Sequence, residues 1–67
     1  MTKVAVTGAL GRMGTLVIQE LAKSGDMSLV AGLDAVGAGK KLQGEVLVSD
    51  ARSLKDVLSS TKPDVLI

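Results

Sequence analysis

Lys3-Val4-Ala5-Val6-Thr7-Gly8-Ala9-Leu10-Gly11-Arg12-Met13-Gly14 is the stretch that decides the fold. A short β-prone run meets three glycines spaced three apart, and a helical pattern begins at once. Gly8 lets the chain turn sharply out of a strand, and Gly11 allows bare backbone to approach a ligand. Gly14 allows the following helix to pack closely. Such a turn delivers an anion to a helix N-terminus, where unpaired N–H groups and the positive end of the helix dipole favour it. The motif is informative only in context: a strand before it, a helix after it, and an acid about 20 residues on. Asp34 stands 20 positions beyond Gly14, at the end of the apolar run Ser28-Leu29-Val30-Ala31-Gly32-Leu33. Its carboxylate is placed to accept hydrogen bonds from the adenosine ribose hydroxyls of a dinucleotide. The competing readings are an ordinary strand-to-helix turn for the glycines and a strand-ending turn residue for Asp34.

Working outward, the sequence predicts a strand over Lys3–Thr7, continuous enough to lie inside a parallel sheet. A helix follows over about residues 12–24, with Met13, Leu16, Val17, Leu21 and Ala22 facing the core. Gly25 sits where a left-handed helix cap is wanted. A second strand spans Ser28–Leu33, completing a βαβ unit with a right-handed crossover. Residues 35–45 read as loop, Val46–Val48 as a short strand, and Ser53-Leu54-Lys55-Asp56 as a capping box opening a helix. That helix turns Leu54, Val57 and Leu58 inward. Pro63 ends it, and Val65-Leu66-Ile67 reads as a further buried strand. The expected architecture is α/β, the N-terminal half of a Rossmann-like doubly wound parallel sheet with strand order 3-2-1-4.

Composition narrows the function classes. With 67 residues the chain supports one small domain or a piece of one, and 46% hydrophobic residues make it globular. Eight basic residues against seven acidic give a net charge of +1, which favours neither a polyanion nor a membrane surface. The chain has no aromatic residue, so stacking platforms for single-stranded nucleic acid are missing. Without Cys or His it assembles no thiolate chemistry, no His-based acid–base pair and no zinc site of the usual kind. The absence of Cys suits the cytoplasm. With its final strand ending at Ile67 and a sheet edge left open, the chain is expected to be part of a longer polypeptide and to self-associate through that edge.

The residues from Val4 to Gly14, and above all Gly11-Arg12-Met13-Gly14, resemble the N-terminal signature of the 4-hydroxy-tetrahydrodipicolinate (dihydrodipicolinate) reductases of lysine and diaminopimelate biosynthesis. The likeness extends through Leu29-Val30-Ala31-Gly32-Leu33-Asp34-Ala35 and the terminal Pro63-Asp64-Val65-Leu66-Ile67. Residues 36–62 are compatible with the family without being diagnostic. The resemblance implies binding of NADH or NADPH by Gly8, Ala9, Leu10, Gly11, Arg12 and Met13, with Asp34 at the adenosine ribose. It implies residues 1–67 as a partial dinucleotide-binding domain, with a C-terminal substrate domain outside this chain. That second domain would carry the catalytic histidines and lysine and most of a tetramer interface. No catalytic residue and no metal site is expected here, and the 67-residue chain alone is expected to be inactive. Ala35 occupies the place where some members carry an Arg for the 2′-phosphate of NADPH. Dual cofactor use is therefore expected, with Arg12, Lys40 or Lys41 offsetting the repulsion from Asp34. Thr7-Gly8-Ala9-Leu10-Gly11 also resembles the opening of an extended short-chain dehydrogenase or epimerase, and the fold alone equally admits a non-enzymatic dinucleotide sensor. A plain scaffold whose glycines only turn corners is a third reading.

Overall fold

A computed structural model describes residues 2–44 and 46–67. The chain forms β1 (Thr2–Thr7), α1 (Arg12–Lys23), β2 (Met27–Asp34), β3 (Val48–Asp50), α2 (Leu54–Thr61) and β4 (Val65–Leu66), with a 3₁₀ turn at Ala51–Ser53. The four strands make one sheet in the order β3-β2-β1-β4, and all its pairings are parallel. This is the expected doubly wound half, with the order reversing between β1 and β4.

Alternation along β1 explains how the layers assemble. Val4 and Val6 face one way, where they pack with Ile18 and Leu21 of α1, Ala9 and Leu29. Ala5 faces the other way, with Ala31 and Leu33 of β2, under Leu54, Val57 and Leu58 of α2. A strand buried on both faces must be apolar at successive positions, and Val4-Ala5-Val6 is. No aromatic ring contributes, so close packing of small aliphatic side chains supplies the cohesion.

Several local expectations are corrected. Ser24 leaves α1 with extended dihedrals (φ −83°, ψ 136°), and Gly25 takes no positive φ. The Ser24 hydroxyl accepts from the Asp26 N–H at 3.2 Å, so side-chain bracing replaces a left-handed cap. The third strand lies at Val48–Asp50 and not at Val46–Val48. Val46 is taken up locally: Leu42 N–H donates to its carbonyl at 2.8 Å, and Lys41 and Leu47 form an antiparallel bridge. The expected loop ended at Glu45, which lies outside the described residues. Ser53 makes no side-chain cap; Asp50 does, accepting from the Arg52 N–H at 2.9 Å. The helix has moved its start signal three residues back, into the 3₁₀ turn. At the other end Lys62 adopts the left-handed conformation (φ 47°) and returns its N–H to Leu58 O at 2.9 Å before Pro63 stops the helix.

Burial on α1 is also rotated from expectation. Gly14, Ile18 and Leu21 are buried, whereas Met13 and Leu16 are 73% and 57% exposed and Ala22 is exposed. The helix packs mainly on β1 and β2, so its flank toward β4 is left uncovered. There Met13, Leu16 and Val17 border an open apolar groove of about 400 Å³ with Val65 and Ile67. The last strand is shorter than expected, Val65–Leu66, and Val65, Leu66 and Ile67 are half exposed instead of buried. β4 is nevertheless well tied to β1: Ile67 N–H donates to Ala5 O at 2.9 Å, and Thr7 N–H and hydroxyl both donate to Ile67 O at 2.8 Å.

Leu33 is among the largest fully buried side chains and is 1% exposed. Leu33→Ala is expected to cost about 2–5 kcal/mol in urea denaturation, from lost transfer energy and the cavity left behind. A cost below about 1 kcal/mol would contradict the packing described, since only a collapsible or poorly filled site is so forgiving.

Candidate functional site at the turn between the first strand and helix

The C-terminal ends of the parallel strands carry the site. Gly8 leaves β1 with φ +62°, a conformation that L side chains rarely adopt. A Cβ on Gly14 would run into the Gly8 carbonyl oxygen and Ala9 Cα. Gly14 therefore lets the first turn of α1 sit against the turn itself, which aims the helix N-terminus over the end of β1.

The fate of each backbone N–H in the turn can be followed. Ala9 N–H donates to Leu33 O at 3.0 Å, Leu10 N–H to Asp34 Oδ2 at 2.9 Å, and Gly11 N–H to Gly8 O at 2.9 Å. Thr15 N–H is the first to close onto the helix start, donating to Gly11 O at 2.9 Å. Arg12, Met13 and Gly14 lie between, in the first helical turn, where no intrahelical carbonyl can reach their N–H groups. Gly11 at the cap position brings no side-chain acceptor. Among the described residues the turn thus presents donors at Arg12, Met13 and Gly14, while those at Ala9, Leu10 and Gly11 already have acceptors. Leu10, Gly11, Arg12 and Thr15 line an open depression there. Arg12 is exposed and takes part in no ion pair among the described residues.

Asp34 stands where the sequence puts it, at the tip of β2, and it is already engaged. Its Oδ2 accepts from Leu10 and its Oδ1 from the Val36 N–H at 3.3 Å. The Leu10 N–H, then those of Val36 and Ala35, holds its carboxyl below the usual aspartate range. An ionised carboxylate has about four acceptor positions, so two hydrogen bonds leave room for ribose hydroxyls.

A Cβ on Gly37, with φ +81°, would collide with Leu10 Cδ1 and lie 3.4 Å from Cδ of Lys40, so the Leu10 and Lys40 side chains both border that glycine. Lys41 lines a separate depression with Ala9, Leu10 and Thr15. A feature missed in the sequence lies at the tip of β3, where Asp50 pairs in register with Asp34. Arg52 Nη2 donates to Asp50 Oδ2 at 3.0 Å and Arg52 Nε to Oδ1 at 3.2 Å. The forked bond lowers the Asp50 pKa and raises that of Arg52. The signal for it was an acid ending an apolar run, Val46-Leu47-Val48-Ser49-Asp50, as Asp34 ends its own. Among the described residues no three potential metal ligands converge, and no helix is long and apolar enough to cross a membrane.

The family described as "Dihydrodipicolinate reductase, N-terminus" matches residues 2–67. The chain belongs to the dihydrodipicolinate reductase N-terminal family. Curated relatives agree: 4-hydroxy-tetrahydrodipicolinate reductase of Methanothermobacter thermautotrophicus is 44% identical over 78 aligned positions, covering 100% of this chain and 28% of the relative. That of Methanospirillum hungatei is 45% identical over 67 positions, covering 100% of this chain and 25% of the relative. The chain therefore spans about a quarter of the length of the curated relatives it matches. A solved structure described as RSP in complex with β-NADH superposes with a TM-score of 0.79 over 98% of this chain and 32% of its own length. At 24% identity that likeness establishes the fold. Family membership assigns the Gly11-Arg12-Met13-Gly14 turn to the reductases over the short-chain dehydrogenases that share its opening.

Because folding lowers the Asp34 pKa, the ionised carboxylate stabilises the folded chain above the ordinary aspartate value. That contribution is lost as the pH falls through the lower, folded value. Asp34→Asn is expected to flatten the acid limb of stability against pH, measured by urea denaturation between about pH 2 and 6. An unchanged acid limb would mean that the Leu10 and Val36 hydrogen bonds do not favour the ionised form.

Proposed function

We propose that this chain is the NAD(P)H-binding part of a 4-hydroxy-tetrahydrodipicolinate reductase in lysine and diaminopimelate biosynthesis, in the cytoplasm. Residues 1–67 form the N-terminal part of its dinucleotide domain, and the relatives' remaining length supplies the substrate domain. The observation that carries this reading is that the Arg12, Met13 and Gly14 N–H groups have no acceptor among the described residues, in a turn built on Gly8 and Gly14 and bonded to Asp34. The solved structure that shares the fold is described with β-NADH, the same class of ligand.

In this reading Gly8, Ala9, Leu10 and Gly11 shape the turn, and the Arg12 and Met13 N–H groups take the pyrophosphate at the positive end of α1. The Arg12 guanidinium adds forked, charge-assisted donors beside the phosphates. Asp34 accepts from the adenosine ribose hydroxyls with the acceptor positions that Leu10 and Val36 leave open. The bound dinucleotide supplies a hydride for the unsaturated dicarboxylate ring. This chain binds and orients it and contributes no acid or base to the transfer. Asp34 disfavours a 2′-phosphate, while Lys40 beside Leu10 offers a compensating cation, so both cofactor forms are accepted.

Titration of NADH and then NADPH into the chain, followed by cofactor fluorescence, tests this reading. The protein has no aromatic residue to interfere. Saturable binding is expected for both cofactors with dissociation constants within about tenfold, weakened about tenfold or more by Arg12→Ala. No saturable binding to the folded chain would contradict it, and a preference of about a hundredfold would contradict dual use.

The outer edge of β4 has no partner among the described residues, and Val65, Leu66 and Ile67 are 44%, 48% and 50% exposed. We propose that two such edges pair, since unmet N–H and C=O groups beside an apolar face favour strand addition. Sedimentation velocity is expected to show concentration-dependent dimers; a monomer at all accessible concentrations would refute the pairing.

A further inference from the structure

The hydrogen bond from Leu10 N–H to Asp34 Oδ2, at 2.9 Å, joins two segments 24 residues apart and lies partly buried. It is one of three restraints on Leu10 and its neighbour Ala9. The preceding N–H, that of Ala9, donates to Leu33 O at 3.0 Å, so two successive amides of the turn are held by two successive residues of β2. The Leu10 side chain is held from the far side by Gly37, whose bare Cα allows its close approach. Leu10 is followed directly by Gly11 and the first helical residue, Arg12. The orientation of the Leu10 peptide therefore fixes how the next peptides, and their free N–H groups, are presented.

A carboxylate beside an anion site is electrostatically unfavourable. Reading ribose hydroxyls accounts for part of its presence, but it does not require a bond to the turn. We infer that Asp34 is a positioning residue for the phosphate-binding turn, so that the β2 tip sets the orientation of the Arg12 and Met13 donors through Leu10. This inference rests on the dinucleotide reading above and deepens it: ribose recognition and pyrophosphate recognition share one carboxylate. A local role alone, the Asp34 Oδ1 bond to Val36 N–H two residues on, would brace the strand end without touching the turn.

The sign of one effect separates the two roles. If Asp34 only reads hydroxyls, removing it leaves a ligand without those hydroxyls unaffected, or tightens it by removing a negative charge. If Asp34 positions the turn, the same ligand weakens in spite of that lost repulsion. The probes are ADP and 2′,3′-dideoxy-ADP, measured by calorimetry on the full chain and on Asp34→Ala and Asp34→Asn. A parallel readout needs no ligand: the hydrogen-exchange rate of the Leu10 amide against those of Val6 and Ile18.

Asp34→Ala is expected to weaken 2′,3′-dideoxy-ADP by about fivefold or more and to speed Leu10 exchange by about tenfold, with Val6 and Ile18 unchanged. Asp34→Asn, whose amide oxygen can still accept from Leu10, is expected to recover most of both losses. Unchanged or tighter dideoxy-ADP binding in Asp34→Ala, with Leu10 protection intact, overturns the inference. If Asp34→Ala does not fold, Asp34→Asn decides alone. Its single acceptor serves two donors, so a measurable speeding of Leu10 exchange is expected, and none would overturn the inference. Failure of the wild-type chain to bind NADH or either ADP would instead defeat the dinucleotide reading, with the Leu10 exchange rates still deciding whether Asp34 holds the turn.

Discussion

The close approach of Gly14 to the Gly8 carbonyl is the constraint on which the candidate site depends. Only a residue without a Cβ fits there, because the atoms it would meet are backbone and cannot swing aside. That contact sets the first turn of α1 directly on the end of β1. Burial does the rest: Ile18 and Leu21, one and two turns on, lock the helix over Val4 and Val6. The site is then a by-product of packing, since a helix docked this way cannot satisfy its own first N–H groups. In the proposed function, the turn uses donors that folding leaves over.

A second layer of order comes from β2. Its last two residues accept the Ala9 and Leu10 amides, so the turn is fastened to the neighbouring strand and not merely suspended between β1 and α1. This matters in a chain whose core holds no aromatic side chain and whose largest fully buried residues are Leu33, Val4 and Val6. Stability in so small a domain is marginal, and a loop held only by its ends would fluctuate at the expense of ligand affinity. Leu33 serves both ends of the problem, with its side chain in the core and its carbonyl on the turn.

Much of this was legible in the sequence because it is local. Glycine spacing, the apolar run of β1 and the position of Asp34 are one-dimensional signals, and the strand order follows from the doubly wound pattern they identify. What escaped was decided by long-range partners. Val46 has the composition of a strand but is spent on a local turn with Leu42, which shifts β3 onto Val48-Ser49-Asp50. Met13 and Leu16 carry helical periodicity, yet α1 centres on β1 and β2 and leaves them beside the groove at β4. Asp34 was read as a ligand for a bound molecule. Its bond to Leu10 connects a side chain to a backbone amide 24 residues away, and no spacing rule announces that.

The central claim is that Arg12 and Met13 present the anion-binding donors of this chain. It is tested most directly by following all backbone amide resonances while NADH is added. The largest shifts are expected on the Arg12 and Met13 amides, spreading to Leu10 and Asp34 and saturating together. Saturable binding whose shifts centre on α2, or on Val65 and Ile67, with Arg12 and Met13 unmoved, would contradict it.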